Sequence, residues 1–339
     1  MDFKIKKFTD FSMFEWNNLL NELEGPIYNC NWNNLNYYSA YDKVKNVSFA
    51  IFYEKKLIAL IPVAKNSNNK KLTFSFGNNL IFSFLFKPNI TQSLRKRIYH
   101  FVFDFLKQKA KQKKLKQNIQ VGPIFFINNK SYAYSKNQFE LLEYCKNYIV
   151  HNTLIVDLNK DENILISEMS KYHLRNIKRT SRIENLKFNI LNNSSSSVIV
   201  KKKFSEFQKY HLISAGKLTR PKKTWKIMLQ KIFDNEAELF FLSLENKSIS
   251  YLYCSKWKDF AWGWSQVNLK KYEKISPRHY LEWNAIKYYK SINCRFYEIG
   301  ERYNLQKNFK PTSKELSISN FKEKYGSDKY PKTIFHVEV

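Results

Sequence analysis

Residues 151–182 read HNTLIVDLNKDENILISEMSKYHLRNIKRTSR, a strand-like run that closes on Asp157, followed by a helical pattern that ends in dense positive charge. Asn159 and Glu162 have N-cap and N3 spacing, which predicts a helix start there, with Leu165, Met169 and Tyr172 on its buried side. Three of the chain's nine arginines, Arg175, Arg179 and Arg182, fall within eight residues of this helix. Arginine's planar fork grips phosphate and carboxylate where lysine supplies only a point charge. At four- and three-residue spacing Lys171, Arg175, Lys178 and Arg182 share one helical face, and no carboxylate lies between Glu168 and Glu184 to neutralise them. Like charges this close repel by roughly a few tenths of a kcal/mol per pair, so the face is either solvated or occupied by an anion. Arg175, with Lys178 or Arg179, is the candidate grip for a nucleotide, tRNA or lipid diphosphate.

With 339 residues, 43% hydrophobic and 17% aromatic, the chain is long enough for two domains, each with a core of its own. A formal charge of +29 points toward nucleic acid, anionic lipid or a phosphorylated substrate. Abundant Lys and Asn beside 7 Gly, 8 Pro and few Arg is also what an AT-rich coding sequence produces, so charge alone identifies no partner. Cys30, Cys145, Cys254 and Cys294 are far apart with no CxxC pair, which argues against a zinc ribbon or a disulfide framework and fits a reducing cytosol. The six histidines show no metal spacing, so no metal site is expected. MDFKIKKFTDF lacks an apolar stretch after its lysines, and the longest apolar run, residues 80–86, is far shorter than the roughly 20 residues of a spanning helix. The expectation is a cytoplasmic protein with no transmembrane segment, whose route to a bilayer would be peripheral contact with anionic lipid.

Element order repeats along the chain. Residues 9–23 predict a helix, with Ser12 and Glu15 in capping-box spacing. Strand patterns at 47–53 and 57–64 form a hairpin, followed by a strand at 72–76, a long helix from Thr91 to about Lys113, and a strand at 118–123. After the strand at 152–158, helices are predicted at 204–213 and 222–233, with the polar tract 192–197 as a loop. A hairpin then joins 237–245 to 248–257, followed by a strand at 259–267. A helix opened by Ser276 as N-cap and Pro277 at its first position delivers the strand RFYEIG, 295–300. Hairpin, strand, helix, strand in both halves predicts two similarly built α/β domains, 1–150 and 151–339.

Three segments carry a family resemblance: NTLIVDL with SKYHLRNIKRTSR (152–182), SPRHYLEWNAIKYYKSINCRFYEIG (276–300), and SISNFKEKYGS (317–327) with its Phe-Lys pair and aromatic-Gly. With the tandem element order, they resemble the Fem-type aminoacyl transferases of the GNAT acyltransferase superfamily. The resemblance implies two tandem GNAT-like domains with mixed central sheets. It also implies transfer of an acyl or aminoacyl group to an amine of a cell-envelope or surface-glycan precursor, nucleotide- or lipid-linked, such as a peptidoglycan or polysaccharide intermediate. The acyl donor would be aminoacyl-tRNA or acyl-CoA, with no tightly bound cofactor. The thioester-binding motif Q/R-x-x-G-x-G/A of many GNAT enzymes is absent. Two alternatives stay open: an acyl-CoA-dependent N-acyltransferase acting on a nucleotide-linked amino sugar, and a non-catalytic basic RNA-binding or assembly protein.

Acyl transfer to an amine needs a held donor carbonyl, a donor to the developing oxyanion and an acceptor for the amine's proton. The resemblance places Phe321 and Lys322 near the reacting end of the acyl donor, with Lys322 facing the oxyanion or a phosphate; the alternative is a solvated lysine. Candidates for the base are His279, Glu298, which shares a strand face with Phe296, and Glu301. Gly300 with Glu301 and Arg302 reads as a turn or as a substrate loop. Trp262, Trp264 and Gln266 alternate on one strand face and would line either an acyl or sugar slot or the core. Arg278, at the start of the Pro277 helix, adds a side chain to a positive helix end suited to an anion.

Overall fold

The computed structural model describes residues 3–23, 27–66, 73–74, 80–82, 84–111, 116–121, 125–127, 130–132, 136–305 and 310–339. Most of the strand expected at 72–76, and Gly122-Pro123, lie outside the described residues. Two compact units emerge, one comprising the chain up to His151 with Tyr330–Val339, the other Asn152–Leu305 with Lys310–Lys329. The expected grouping of all residues after 150 therefore misplaces the last ten, because Phe335 and Val337 pack into the core of the first unit.

In the first unit β1 (Lys4–Lys7) pairs antiparallel with β2 (Phe49–Tyr53), and β2 forms a hairpin with β3 (Lys56–Ile61). Glu54 and Lys55 turn that hairpin with φ of 49° and 62°, the conformation that matches strand twist in a tight turn. β4 (Leu85–Phe86) extends the sheet beyond β3. α1 (Met13–Leu20) begins at the Ser12–Glu15 capping box, as its spacing predicts. α2 (Trp32–Tyr41), WNNLNYYSAY, was not anticipated, since its polar residues and aromatics follow no clear 3.6-residue period. α3 (Gln92–Ala110), capped by Thr91, buries Ile98, Tyr99, Val102, Phe103 and Leu106. β5 (Lys116–Val121) pairs antiparallel with residues 333–338.

Arg95 on α3 meets Glu140 through Nε and Nη2 at 2.8–3.2 Å, with both side chains about nine-tenths buried. Removing one member of such a pair strands the other charge in a low-dielectric site. Arg95→Ala is therefore expected to destabilise the protein by about 3 kcal/mol, read as a lowered urea midpoint.

The second unit carries a six-stranded run ordered β7-β8-β9-β10-β11-β6. Its members are β6 (Cys145–Asp157, of which residues 152–157 belong here), β7 (Leu186–Leu191), β8 (Ala237–Leu244), β9 (Lys247–Trp257), β10 (Phe260–Asn268) and β11 (Phe296–Arg302). All neighbours are antiparallel except β10 and β11, which run parallel, so the sheet is mixed. The expected helix after Asp157 is two: α4 (Glu162–Glu168), capped at Asp161, and α5 (Lys171–Ser181), capped by the Ser170 hydroxyl. Asn159 instead closes a turn onto the Asp157 carboxylate, and Met169 is extended. The break rotates Tyr172 out to 51% exposure, while Leu165 and Met169 stay buried as expected.

α6 (Ser197–Ala215) starts seven residues before its predicted onset, and α7 (Lys222–Phe233) matches its prediction. α8 (Pro277–Ser291) buries Leu281, Ala285, Ile286 and Tyr289 against the sheet. Its Ser276 does not cap it as expected: the residue is left-handed, with φ of 56°, and its hydroxyl turns to Asn176 Oδ1 at 3.1 Å. α9 (Ser313–Glu323) and β12 (Asp328–Glu338) follow. Among the described residues no helix is long and apolar enough to cross a membrane.

Candidate active site

β10 and β11 pair over only three positions, 260–262 against 296–298. Just past that point each strand takes in an extra residue. On β10 the register against β9 slips so that Trp264 is skipped between Gly263, opposite Cys254, and Ser265, opposite Tyr253. On β11 the register against β6 slips at Ile299, between Glu298 and Gly300. A bulge bends its strand and tightens the local twist, so two bulges at one level spread the strands into a wedge. A cavity of about 300 Å³ lies there, lined by Gly263, Trp264, Gln266, Arg278, Glu282 and Lys322 among others.

Glu282, in the second turn of α8, is 5% exposed and accepts a 2.6 Å hydrogen bond from the Tyr297 hydroxyl. Burial pushes its carboxyl above the ordinary range, opposed by that hydrogen bond and by the charges of Lys322 and Arg278. Lys322, from α9, is pulled down by burial and by Arg278, while Glu282, Glu301 and Glu298 pull it up. The Arg278 guanidinium lies 4.0 Å from the Phe321 ring centroid, and its buried Nε has no hydrogen-bond partner. The Gln266 side-chain nitrogen is likewise buried without a partner, leaving a donor for a bound molecule. Behind the wall, Lys231 of α7 is fully buried with Nζ 4.7 Å from the Trp264 ring and 5.4 Å from that of Trp262. Burial brings its ammonium down to about 8 against the pull of Glu236 and Asp234.

Two glycines make the wedge sterically open. A Cβ on Gly263 would fall 2.8 Å from the Tyr297 hydroxyl. Gly300, read as a turn or loop, lies inside β11 with φ of 143°, and a Cβ there would fall 2.1 Å from Lys322 Nζ and 2.8 Å from its Cδ. The missing side chain is the channel through which Lys322 reaches the cavity. Gly300→Ala should therefore cost about 1–3 kcal/mol from backbone conformation alone, measured by urea unfolding. An unchanged midpoint would mean that β11 adopts another path.

Of the sequence candidates the cavity brings together Lys322, Arg278, Trp264 and Gln266, and it adds Glu282, held from beneath by the Tyr297 hydroxyl. Other candidates are placed elsewhere. Glu298 is buried but takes a 2.7 Å hydrogen bond from the Thr153 hydroxyl and is not among the lining residues. Glu301 accepts from the Tyr303 hydroxyl, and Arg302 is committed to Glu323 at 2.6 Å and to the Tyr303 carbonyl. Arg179 is a structural tie, donating to the Lys274 carbonyl, the Ser276 hydroxyl and Asn176. Arg175 and Lys178 project to solvent on α5, and neither lines the cavity. Glu282 had a sequence signal: it follows Arg278 by four residues and stands as a lone carboxylate among Leu281, Trp283, Ala285 and Ile286.

His279 and Phe321 pack behind Arg278, together with His173 and Tyr325. The His173 and His279 ring centroids are 4.6 Å apart, and each ring contacts Phe321. Burial first, then the positive charge of Arg278 and other neighbours, pushes both imidazoles from about 6.5 down to about 4. Between those values the unfolded chain binds protons that the native state does not, so stability is complete above about 6.5 and falls as pH drops through the window. Each histidine should account for a loss of about 1–2 kcal/mol between neutral pH and pH near 4.5. His279→Phe should show a correspondingly shallower fall in urea midpoint, and an identical fall would count against this assignment.

A parallel pair splayed by bulges, fed by a helix from one side and bounded by a lysine-bearing helix, fits a GNAT-like α/β fold, and solved structures with tandem GNAT-like domains match nearly the whole chain. Among solved structures, FemX matches 99% of this chain over 98% of its own, with a TM-score of 0.64 at 12% identity. L-PGS from Bacillus licheniformis matches 94% of this chain over 90% of its own, with a TM-score of 0.57 at 13% identity. A tandem GNAT protein from the clavulanic acid biosynthesis pathway matches 99% over 98%, with a TM-score of 0.54 at 8% identity. No protein-family model matches the chain, and no curated protein matches its sequence.

Proposed function

We propose that the protein is an acyltransferase that moves an acyl or aminoacyl group onto an amine of a cell-envelope or surface-glycan precursor, with the wedge between β10 and β11 as its reaction site. The observation that carries this reading is the convergence of Lys322, Arg278 and Glu282 on one cavity beside the stretch of β10 that no longer pairs with β11. The amine nitrogen attacks the donor's carbonyl carbon, forming the C–N bond. The ester bond of an aminoacyl-tRNA, or the thioester bond of an acyl-CoA, breaks. Lys322, with the unpartnered amide of Gln266, faces the negative charge that develops on the carbonyl oxygen. The Glu282 carboxylate takes the proton lost by the amine, and that proton ends on the departing hydroxyl or thiol. Arg278 and Lys322 offer two positive charges to donor phosphate. The resemblance to Fem-type transferases and the FemX-like fold favour an aminoacyl-tRNA donor, and the missing thioester-binding motif points the same way.

The test supplies radiolabelled aminoacyl-tRNA or acyl-CoA together with amine-bearing envelope precursors. Lys322→Ala and Glu282→Gln are each expected to lower turnover by about 10²–10³-fold. Activity needs Glu282 ionised and Lys322 protonated, so the acidic limb of the pH profile should lie above the ordinary carboxylate range and the alkaline limb below that of an exposed lysine. Glu282→Gln should abolish the acidic limb. Turnover and limbs unchanged in both variants would sink the assignment, and RNA binding with no turnover on either donor would support the non-catalytic alternative.

A further inference from the structure

A second cavity, about 580 Å³, lies in the groove between α6 and α7 and shares no lining residue with the wedge. Its floor is apolar, with Phe204, Trp225 and Leu229, and Leu212 and Leu218 stand at its mouth. Five lysines, Lys201, Lys209, Lys217, Lys222 and Lys226, line it with no carboxylate among the lining residues. All five are exposed. Across 197–233 the chain carries ten Lys and Arg against one acidic residue, Glu206, and that carboxylate is engaged by Lys203 at 2.8 Å and by the Tyr251 hydroxyl at 2.6 Å. The chain as a whole carries 58 Lys and Arg against 29 Asp and Glu, so this segment is more one-sided than the average. The apolar residues at the groove's end are also unusual in their exposure: Leu218 is 72% accessible, Ile213 61% and Leu212 45%.

We infer that the α6–α7 groove is a docking site for an anionic phospholipid bilayer. Lysines would sit among the headgroup phosphates while Leu212, Ile213 and Leu218 enter the acyl boundary, the division of labour of interfacial helices. Charge complementarity alone would also suit RNA, but the exposed side chains here are aliphatic, which gives bases nothing to stack on. The one tryptophan, Trp225, is buried and covered by the Arg220 guanidinium 4.9 Å from its ring. The site is independent of the proposed chemistry, since none of these groove residues lines the wedge.

The experiment is flotation of the full chain with vesicles of phosphatidylcholine, with or without phosphatidylglycerol. Binding is expected only with phosphatidylglycerol, weakening with salt. Lys209→Glu, Lys222→Glu and Lys226→Glu combined should weaken it at least about tenfold. Leu218→Asp, at a residue too exposed to matter for folding, should weaken it comparably. A control reversing Lys55, Lys56 and Lys111, exposed lysines in the first unit, should retain most binding. Equal loss in the control would overturn the inference in favour of diffuse charge, as would unchanged binding by Leu218→Asp. Binding of tRNA that depends on the groove lysines but not on Leu218, without vesicle binding, would replace lipid by RNA.

Discussion

Two parallel strands that stop pairing after three residues impose a constraint on everything around them. Backbone groups that lose their ladder partners need other partners or a ligand, and the space between the strands must be filled or functional. Here the parting coincides with paired bulges at Trp264 and Ile299, and the wedge brings Gln266, Arg278, Glu282 and Lys322 together with apolar side chains such as Leu252, Val267 and Ile318. Tyr297 is fully buried beneath it and turns its hydroxyl to Glu282, so the carboxylate is fixed by the same strand whose departure opens the cavity. Holding Glu282, Arg278 and Lys322 close together in a poorly solvated site is costly unless the charges offset one another. Glu282 is the compensating charge, raising both cations and being lowered by them, while Arg278 works against Lys322.

The cage behind Arg278 serves the same arrangement. Phe321 offers its face to the guanidinium, while the two histidines pack against Phe321 as neutral, flat side chains. A base with a pKa near 4 is a weak proton acceptor at neutral pH, and His279 does not line the cavity, so its contribution is to shape. Lys231, against two tryptophans, performs a comparable task by packing behind Trp264, whose indole lines the cavity.

Much of the second unit was legible because its signals are local. The hairpin turn at Glu245 and Asn246, with φ of 50° and 63°, the start at Pro277 and the α7 span each follow from residues within a few positions. The split of the helix after Asp157 was harder to see. Ser170 and its bond to His173 compete with helix continuation, and Met169 has no side-chain feature that announces an extended backbone. Lys322, Arg278, Trp264 and Gln266, candidates from motif and strand position, line one cavity. Glu282 was missed because strand alternation drew notice to Glu298, whereas the bulges hand the cavity to the helix. Arg175, Arg179 and Arg182 stood out for their type, yet what Arg179 does, pinning α5 to the loop before α8, depends on chain separated by about a hundred residues and leaves no local trace.

Strand β12 leaves the second unit at Lys329 and completes the first, where Phe335 and Val337 join the core and residues 333–338 pair with β5. The order of synthesis therefore runs against the order of assembly. Everything up to His151 emerges from the ribosome before the strand that finishes its sheet exists, and the whole second unit is made in between. During that interval β5 lacks the strand that pairs with it and the core lacks Phe335 and Val337, the kind of unfinished surface that chaperones recognise and that aggregates when left bare. The second unit, by contrast, has its six-stranded run complete once β11 is made, well before the last strand of the first unit exists.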